Sequence, residues 1–115
     1  MTMAIHIVLD CADPQKLAEF WSQALGYTVS GFADQWGMLK GPREGDVFLL
    51  QKVVEPKAGK NRMHIDVTAT DIESKAAELE QIGARRLSED TVSQFGMTWI
   101  VMADPEGNEF CVCKE

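Results

Sequence analysis

The chain has 115 residues and a formal net charge of −7, with hydrophobic and charged fractions typical of a globular protein. That length suits one ordinary domain with a sizeable core. The acidic balance argues against nucleic acid or an anionic membrane as the main partner, and no apolar run is long enough to span a bilayer.

Taken in order, residues 4–10 alternate as a strand, with Ile5, Ile7 and Leu9 on one face and His6, Val8 and Asp10 on the other. The first ten residues lack a basic leader and a long apolar segment, so no secretory signal is expected. Asp13-Pro14 starts a helix, with Asp13 as N-cap and proline at the first helical position. Its apolar stripe is Leu17, Ala18, Phe20, Trp21, Ala24 and Leu25, and Gly26 ends it. Phe20 and Trp21 are adjacent, so only one of them is expected to face the middle of the core. Tyr27–Phe32, Gln35–Leu39 and Val47–Val54 read as strands separated by polar and Gly/Pro turns.

A polar connector, residues 55–61, follows, and then the series restarts. Met63, Ile65 and Val67 take an apolar strand face, while Arg62, His64, Asp66 and Thr68 take the other. Asp71 caps a second helix bearing Ile72, Ala76, Leu79 and Ile82 on one side, and Gly83 ends it. Ala84–Ser88 is expected to be a strand, Gln94–Met102 another and Asn108–Cys113 the last, after the turn Asp104-Pro105-Glu106-Gly107.

The landmarks recur at a nearly constant offset: His6 with His64, Asp13 with Asp71, Gly26 with Gly83, and Gln35-Trp36-Gly37-Met38 with Gln94-Phe95-Gly96-Met97. The chain is therefore read as an internal duplication in one domain, with module one at about 4–54 and module two at about 62–115. Each module is strand–helix–strand–strand–strand. The fold class is α+β: two βαβββ modules pairing into a curved, cleft-forming eight-stranded sheet, with one helix per module. Alternation turns both histidines away from the helices, toward that cleft.

This arrangement resembles the vicinal oxygen chelate superfamily, which includes glyoxalase I, fosfomycin-resistance enzymes, extradiol dioxygenases and bleomycin-resistance proteins. The resemblance covers essentially the whole chain. It is carried by the two His-x6-Asp strand–helix starts, by Ala24-Leu25-Gly26-Tyr27, and by Asp104-Pro105-Glu106-Gly107-Asn108-Glu109. It implies a divalent metal (Zn, Ni, Mn or Fe) held by a residue from the first and last strand of each module, with open positions for two neighbouring substrate oxygens. The first-strand positions match His6 and His64. Four residues past the turn glycines, where the family pattern has a carboxylate, stand Leu49 and Cys111. Glu109 and Gln51 lie on the same faces but two residues away, roughly 6.6 Å along a strand.

Two functions follow from that departure. The preferred one is a small-molecule-binding protein with an incomplete version of the family's metal site. The alternative is a metal-dependent lyase, isomerase or dioxygenase using His6 and His64 with Glu109 or Cys111 as metal ligands and Glu109 as the catalytic carboxylate. A purely structural module is the third reading. Trp36 and Phe95, at matching repeat positions, are expected to wall a ligand site with Gln51 and Cys111, and Arg62 to meet an anionic group of the ligand. Cys11, Cys111 and Cys113 read as free thiols of a cytoplasmic protein. The resemblance further implies a homodimer. Phosphate-binding glycine loops, dinucleotide fingerprints, Gly-x-Ser-x-Gly and Cys-x-x-Cys are absent from the sequence.

Overall fold

The computed structural model describes residues 6–61, 63–94 and 96–115. Arg62 and Phe95, and the roles expected of them, lie outside the described residues, as does Ile5. The protein is α+β with two modules, and it divides into two compact units at Pro56/Lys57, inside the polar connector.

Module one runs β1 (Ile7–Cys11), α1 (Pro14–Leu25), β2 (Thr28–Ala33), β3 (Trp36–Lys40) and β4 (Val47–Lys52). Its strands form one sheet in the order β1-β4-β3-β2, in which β1 and β4 are parallel. Asp13 caps α1 as expected, its side chain accepting from the Lys16 N–H at 3.2 Å. Gly26 closes the helix in the left-handed conformation (φ 73), which glycine adopts without steric cost.

The face of the sheet under α1 carries Leu39, Phe48 and Leu50, all buried, against Leu17, Phe20 and Trp21 of the helix. Phe20 and Trp21 are both in this core, contrary to the expectation that one would be excluded. Their rings meet edge-on at 5.1 Å, and Trp21 also packs on Phe48 at 5.5 Å. Neighbours on a helix are about 100° apart, and a stripe wider than that takes both. One other expectation holds in register and one is corrected. Ile7 shares the covered face with Phe48 by register, yet it is 45% exposed at the start of an edge strand. β4 stops at Lys52, leaving Val54 at the surface.

Module two runs β5 (Ile65–Ala69), α2 (Ile72–Gln81), β6 (Arg85–Arg86), β7 (Val92–Gln94), β8 (Met97–Ala103) and β9 (Glu109–Lys114). Its sheet order is β5-β9-β8-β6, the same as in module one, and β5 and β9 are again parallel. The strand expected over 84–88 is shortened to β6, and an additional short strand, β7, also pairs with β8, so the described residues hold nine strands rather than eight. Asp71 caps α2 by accepting from the Ser74 N–H at 3.1 Å. Val67, Ile100, Met102, Phe110 and Val112 form the core with Ala76 and Leu79 of the helix. Met63, expected on the apolar face, precedes β5 and is 84% exposed.

The turn between β8 and β9 is built on Asp104, which is 3% exposed. Its Oδ1 accepts from the N–H groups of Glu106 and Asn108, both at 2.9 Å, and the Asn108 side-chain amide donates to Oδ2 at 2.9 Å. The Asp-Pro-Glu-Gly-Asn stretch is thus a side-chain scaffold that fixes where β9 begins.

Candidate functional site

Cross-strand register determines which side chains share a face. In module one, Val8 is opposite Leu49, Met38 opposite Leu49, and Trp36 opposite Gln51. These residues belong to the face turned away from α1. In module two, Asp66 is opposite Cys111, Val101 opposite Cys111, and Trp99 opposite Cys113. Leu49 and Cys111 are therefore true counterparts, as the glycine spacing implied. Trp36, however, corresponds to Trp99 and not to Phe95. The Gln-aromatic-Gly-Met repeat is a false landmark: Gly37 lies within β3, whereas Gly96 (φ 75) lies between β7 and β8.

The helix-free face of module one carries an apolar hollow of about 550 Å³ that includes Trp36, Met38, Leu49, Gly31 and Ala33. Trp36 is 40% exposed at its rim. Gly37 lets the Phe32 ring approach the strand closely, where an added Cβ would meet it at 3.0 Å. Gln51 is half-buried beside Trp36, and its carbonyl accepts from the Cys11 thiol at 3.7 Å. His6 is exposed immediately before β1.

The helix-free face of module two is polar by comparison. A pocket of about 400 Å³ is lined by His64, Asp66, Trp99, Glu109, Cys111 and Cys113, among others. His64 Nε2 lies 3.2 Å from Asp66 Oδ1. One ligand atom each from His64, Asp66 and Cys111 falls within 4.8 Å of the other two. Burial, then the negative charge of Asp66, pushes the Cys111 thiol up. The same two effects, with Cys111 and a hydrogen bond to Asp66, push Cys113 up to about 11. Both thiols are therefore protonated at neutral pH and are poor nucleophiles.

Glu109 is engaged elsewhere. Lys57 Nζ lies 3.2 Å from Oε1 and 3.1 Å from Oε2, and Lys57 also donates to the Gly59 carbonyl. Burial pushes the Glu109 carboxyl up. The hydrogen bond from Lys57, backbone N–H groups of Glu109 and Asn61, and the Lys57 charge outweigh it and hold the group below the usual carboxylate range. Such a carboxylate is a weak proton acceptor. It pins the connector to β9.

A folded pKa held low stabilises the protein above the unfolded value, and that contribution is lost as pH falls through the folded one. Lys57→Ala is therefore expected to cost about 1 kcal/mol at pH 7, the upper end for a partly exposed ion pair. The difference from wild type should shrink as pH falls through that lowered folded value, where the Glu109 carboxylate takes up its proton. Urea unfolding at pH 7 and pH 3 checks this, and an equal cost at both would refute it.

The superfamily is typically metal-dependent, so the donor set is the test of fit. Leu49 offers no donor at the module-one last-strand position, and Cys111 offers sulfur where an oxygen is usual. The four-ligand imidazole–carboxylate set is not reproduced by these residues. In the sequence Asp66 is marked only as a neighbour of His64 on one strand face, and Lys57 only as part of the polar connector. The alternation did place Asp66 on the histidine's face, but its closeness to Cys111 depends on the β5–β9 register.

No protein of curated function matches the sequence. Among solved structures, a glyoxalase/bleomycin resistance protein/dioxygenase family enzyme from Burkholderia phytofirmans PsJN is similar at TM-score 0.79 and 12% identity, with 95% of each chain covered. A glyoxalase/bleomycin resistance/dioxygenase superfamily member from Sphaerobacter thermophilus gives 0.75 and 17%, covering 100% of this chain and 98% of the other. A glyoxalase/bleomycin resistance protein from Albidiferax ferrireducens T118 gives 0.71 and 15%, covering 96% of each. These likenesses establish the fold, and no helix among the described residues is long and apolar enough to cross a membrane. The model of the glyoxalase-like domain matches residues 6–113, and with the repeated module and its strand order this chain belongs to that family, on a vicinal oxygen chelate fold.

Proposed function

We propose that this protein binds a small, largely apolar organic molecule on the helix-free face of its sheets, with an incomplete version of the family's metal site. The observation that carries this reading is Leu49. It stands where Cys111 stands in module two, flanked in register by Val8 and Met38, and with Trp36 it makes the helix-free face of module one a hydrophobic wall. A wall of this kind with one exposed indole suits a flat, neutral ring system, for which stacking and burial supply the affinity. Gln51, beside Trp36, supplies a polar contact that orients the ligand. A homodimer belongs to the same reading, and sedimentation velocity checks it.

A library of neutral aromatic and heteroaromatic fragments, screened by thermal shift and followed by calorimetry, tests the proposal. Trp36→Ala is expected to weaken the best binder at least about tenfold, a loss of about 1.4 kcal/mol. It should leave the melting temperature nearly unchanged, because Trp36 is exposed. Equal affinity in the variant would overturn the assignment. Stoichiometric Mn, Fe or Ni lost in both His6→Ala and His64→Ala would instead favour the metal-dependent lyase, isomerase or dioxygenase.

A further inference from the structure

We infer that residues 57–61 form a strap at the mouth of the module-two pocket, clasped shut by Glu109 and opened when Lys57 lets go. The strap is independent of the ligand reading, since every contact involved lies in module two. Strap and pocket belong to the same compact unit, which begins at Lys57. The strap carries no helix or strand, and among the described residues no backbone–backbone hydrogen bond holds 54–61. A segment held in this way opens at little cost, and its side-chain ties decide how often it does.

Those ties converge on one carboxylate. Glu109, at the start of β9, receives Lys57 Nζ at 3.2 Å on Oε1 and 3.1 Å on Oε2. It also accepts from the backbone N–H of Asn61, so both ends of the strap are fastened to it. The Lys57 stem reaches the β8–β9 turn, where its Cδ would stand 3.9 Å from a Cβ added at Gly107. Between the two fastenings the chain carries Lys60 into the pocket wall, with Glu109, Trp99 and Cys111. Burial and then Asp66 push the Cys111 thiol up, while the Lys60 charge pulls it down, so the ammonium lies within electrostatic reach of the sulfur. Residues 57–60 are exposed, whereas Trp99 and Cys111 are half-buried. Freed from Glu109, the strap takes Lys60 off the pocket and lets a small molecule reach Cys111.

The test follows the alkylation rate of Cys111 by iodoacetamide, a neutral probe, in full-length reduced protein, with the modified residue located by mass spectrometry. Lys57→Ala is expected to speed the reaction about fivefold, the factor that corresponds to losing an ion pair of this kind. Removing a positive charge disfavours the thiolate, so a faster reaction reports access and not acidity. Lys57→Arg, which keeps a cation on Glu109, should react as wild type. Sodium chloride at about 1 M should speed the wild type and leave Lys57→Ala unchanged, because salt screens the pair. Asp71→Ala removes the cap of α2 and lowers stability by a similar amount without touching the strap, so its Cys111 should react as in wild type. An unchanged rate in Lys57→Ala, or the same gain in Asp71→Ala, would overturn the clasp.

Discussion

Trp21→Ala is expected to cost about 3–5 kcal/mol, the range for removing a large aromatic side chain from a packed core. Trp21 is 1% exposed and sits edge-on to Phe20 and against Phe48. No other residue type on α1 has the volume to fill that space, so the neighbouring rings lose contacts on one side and a cavity is left. Against a total stability of roughly 5–15 kcal/mol, such a loss is large. Urea unfolding followed by circular dichroism measures it. Trp21→Phe, which keeps a ring against Phe48, should cost clearly less. A Trp21→Ala cost below about 1 kcal/mol would mean that the α1–sheet core is not packed as described.

Asp104→Ala should cost about 2–4 kcal/mol for a different reason. No apolar contact is the issue. One buried carboxylate satisfies the N–H groups of Glu106 and Asn108 and the Asn108 side-chain amide. Removing it leaves buried donors without an acceptor, and that desolvation penalty is larger than the net worth of the bonds themselves. Asp104→Asn keeps a carbonyl oxygen for the two backbone donors and is expected to cost about half as much. The measurement is again urea unfolding. Equal costs for the two substitutions would show that charge, rather than acceptor geometry, holds the turn.

These two residues also show what could be read from the sequence. The repeat, both N-caps, the helix extents and the helix-free faces follow from local rules. Capping by Asp13 and Asp71 involves residues three apart, and strand alternation has a fixed period of two. Register is another matter. Trp36 and Phe95 matched by sequence because a four-residue motif recurs, yet the hydrogen-bonded ladders pair Trp36 with Gln51 and Trp99 with Cys113. The additional strand β7 and the residues that lead to it shift the second module by several residues at that point, which no short motif reports.

The same limit hid the closeness of His64, Asp66 and Cys111. Asp66 and Cys111 are far apart in sequence and meet only because β5 runs parallel to β9. Glu109 illustrates the reverse case: its position on the strand was legible, but its capture by Lys57 from the connector was not. Phe20 enters the core beside Trp21 because packing against a sheet accepts a band of helix surface more than 100° wide.

The parallel seam between first and last strand has a kinetic consequence. Ile7 must wait for Phe48, and Ile65 for Phe110, so each seam closes only after most of its module has been threaded. The hairpins β2–β3, β3–β4 and β8–β9 join segments close in sequence and form early, whereas β1 and β5 arrive last as edge strands of their sheets. Late-docking edges open first under native conditions, so their amides should exchange hydrogen faster than those of β4 and β9. Both histidines stand at the entrances of these edge strands, so anything that grips His64 should act as a latch on β5 and slow its exchange selectively.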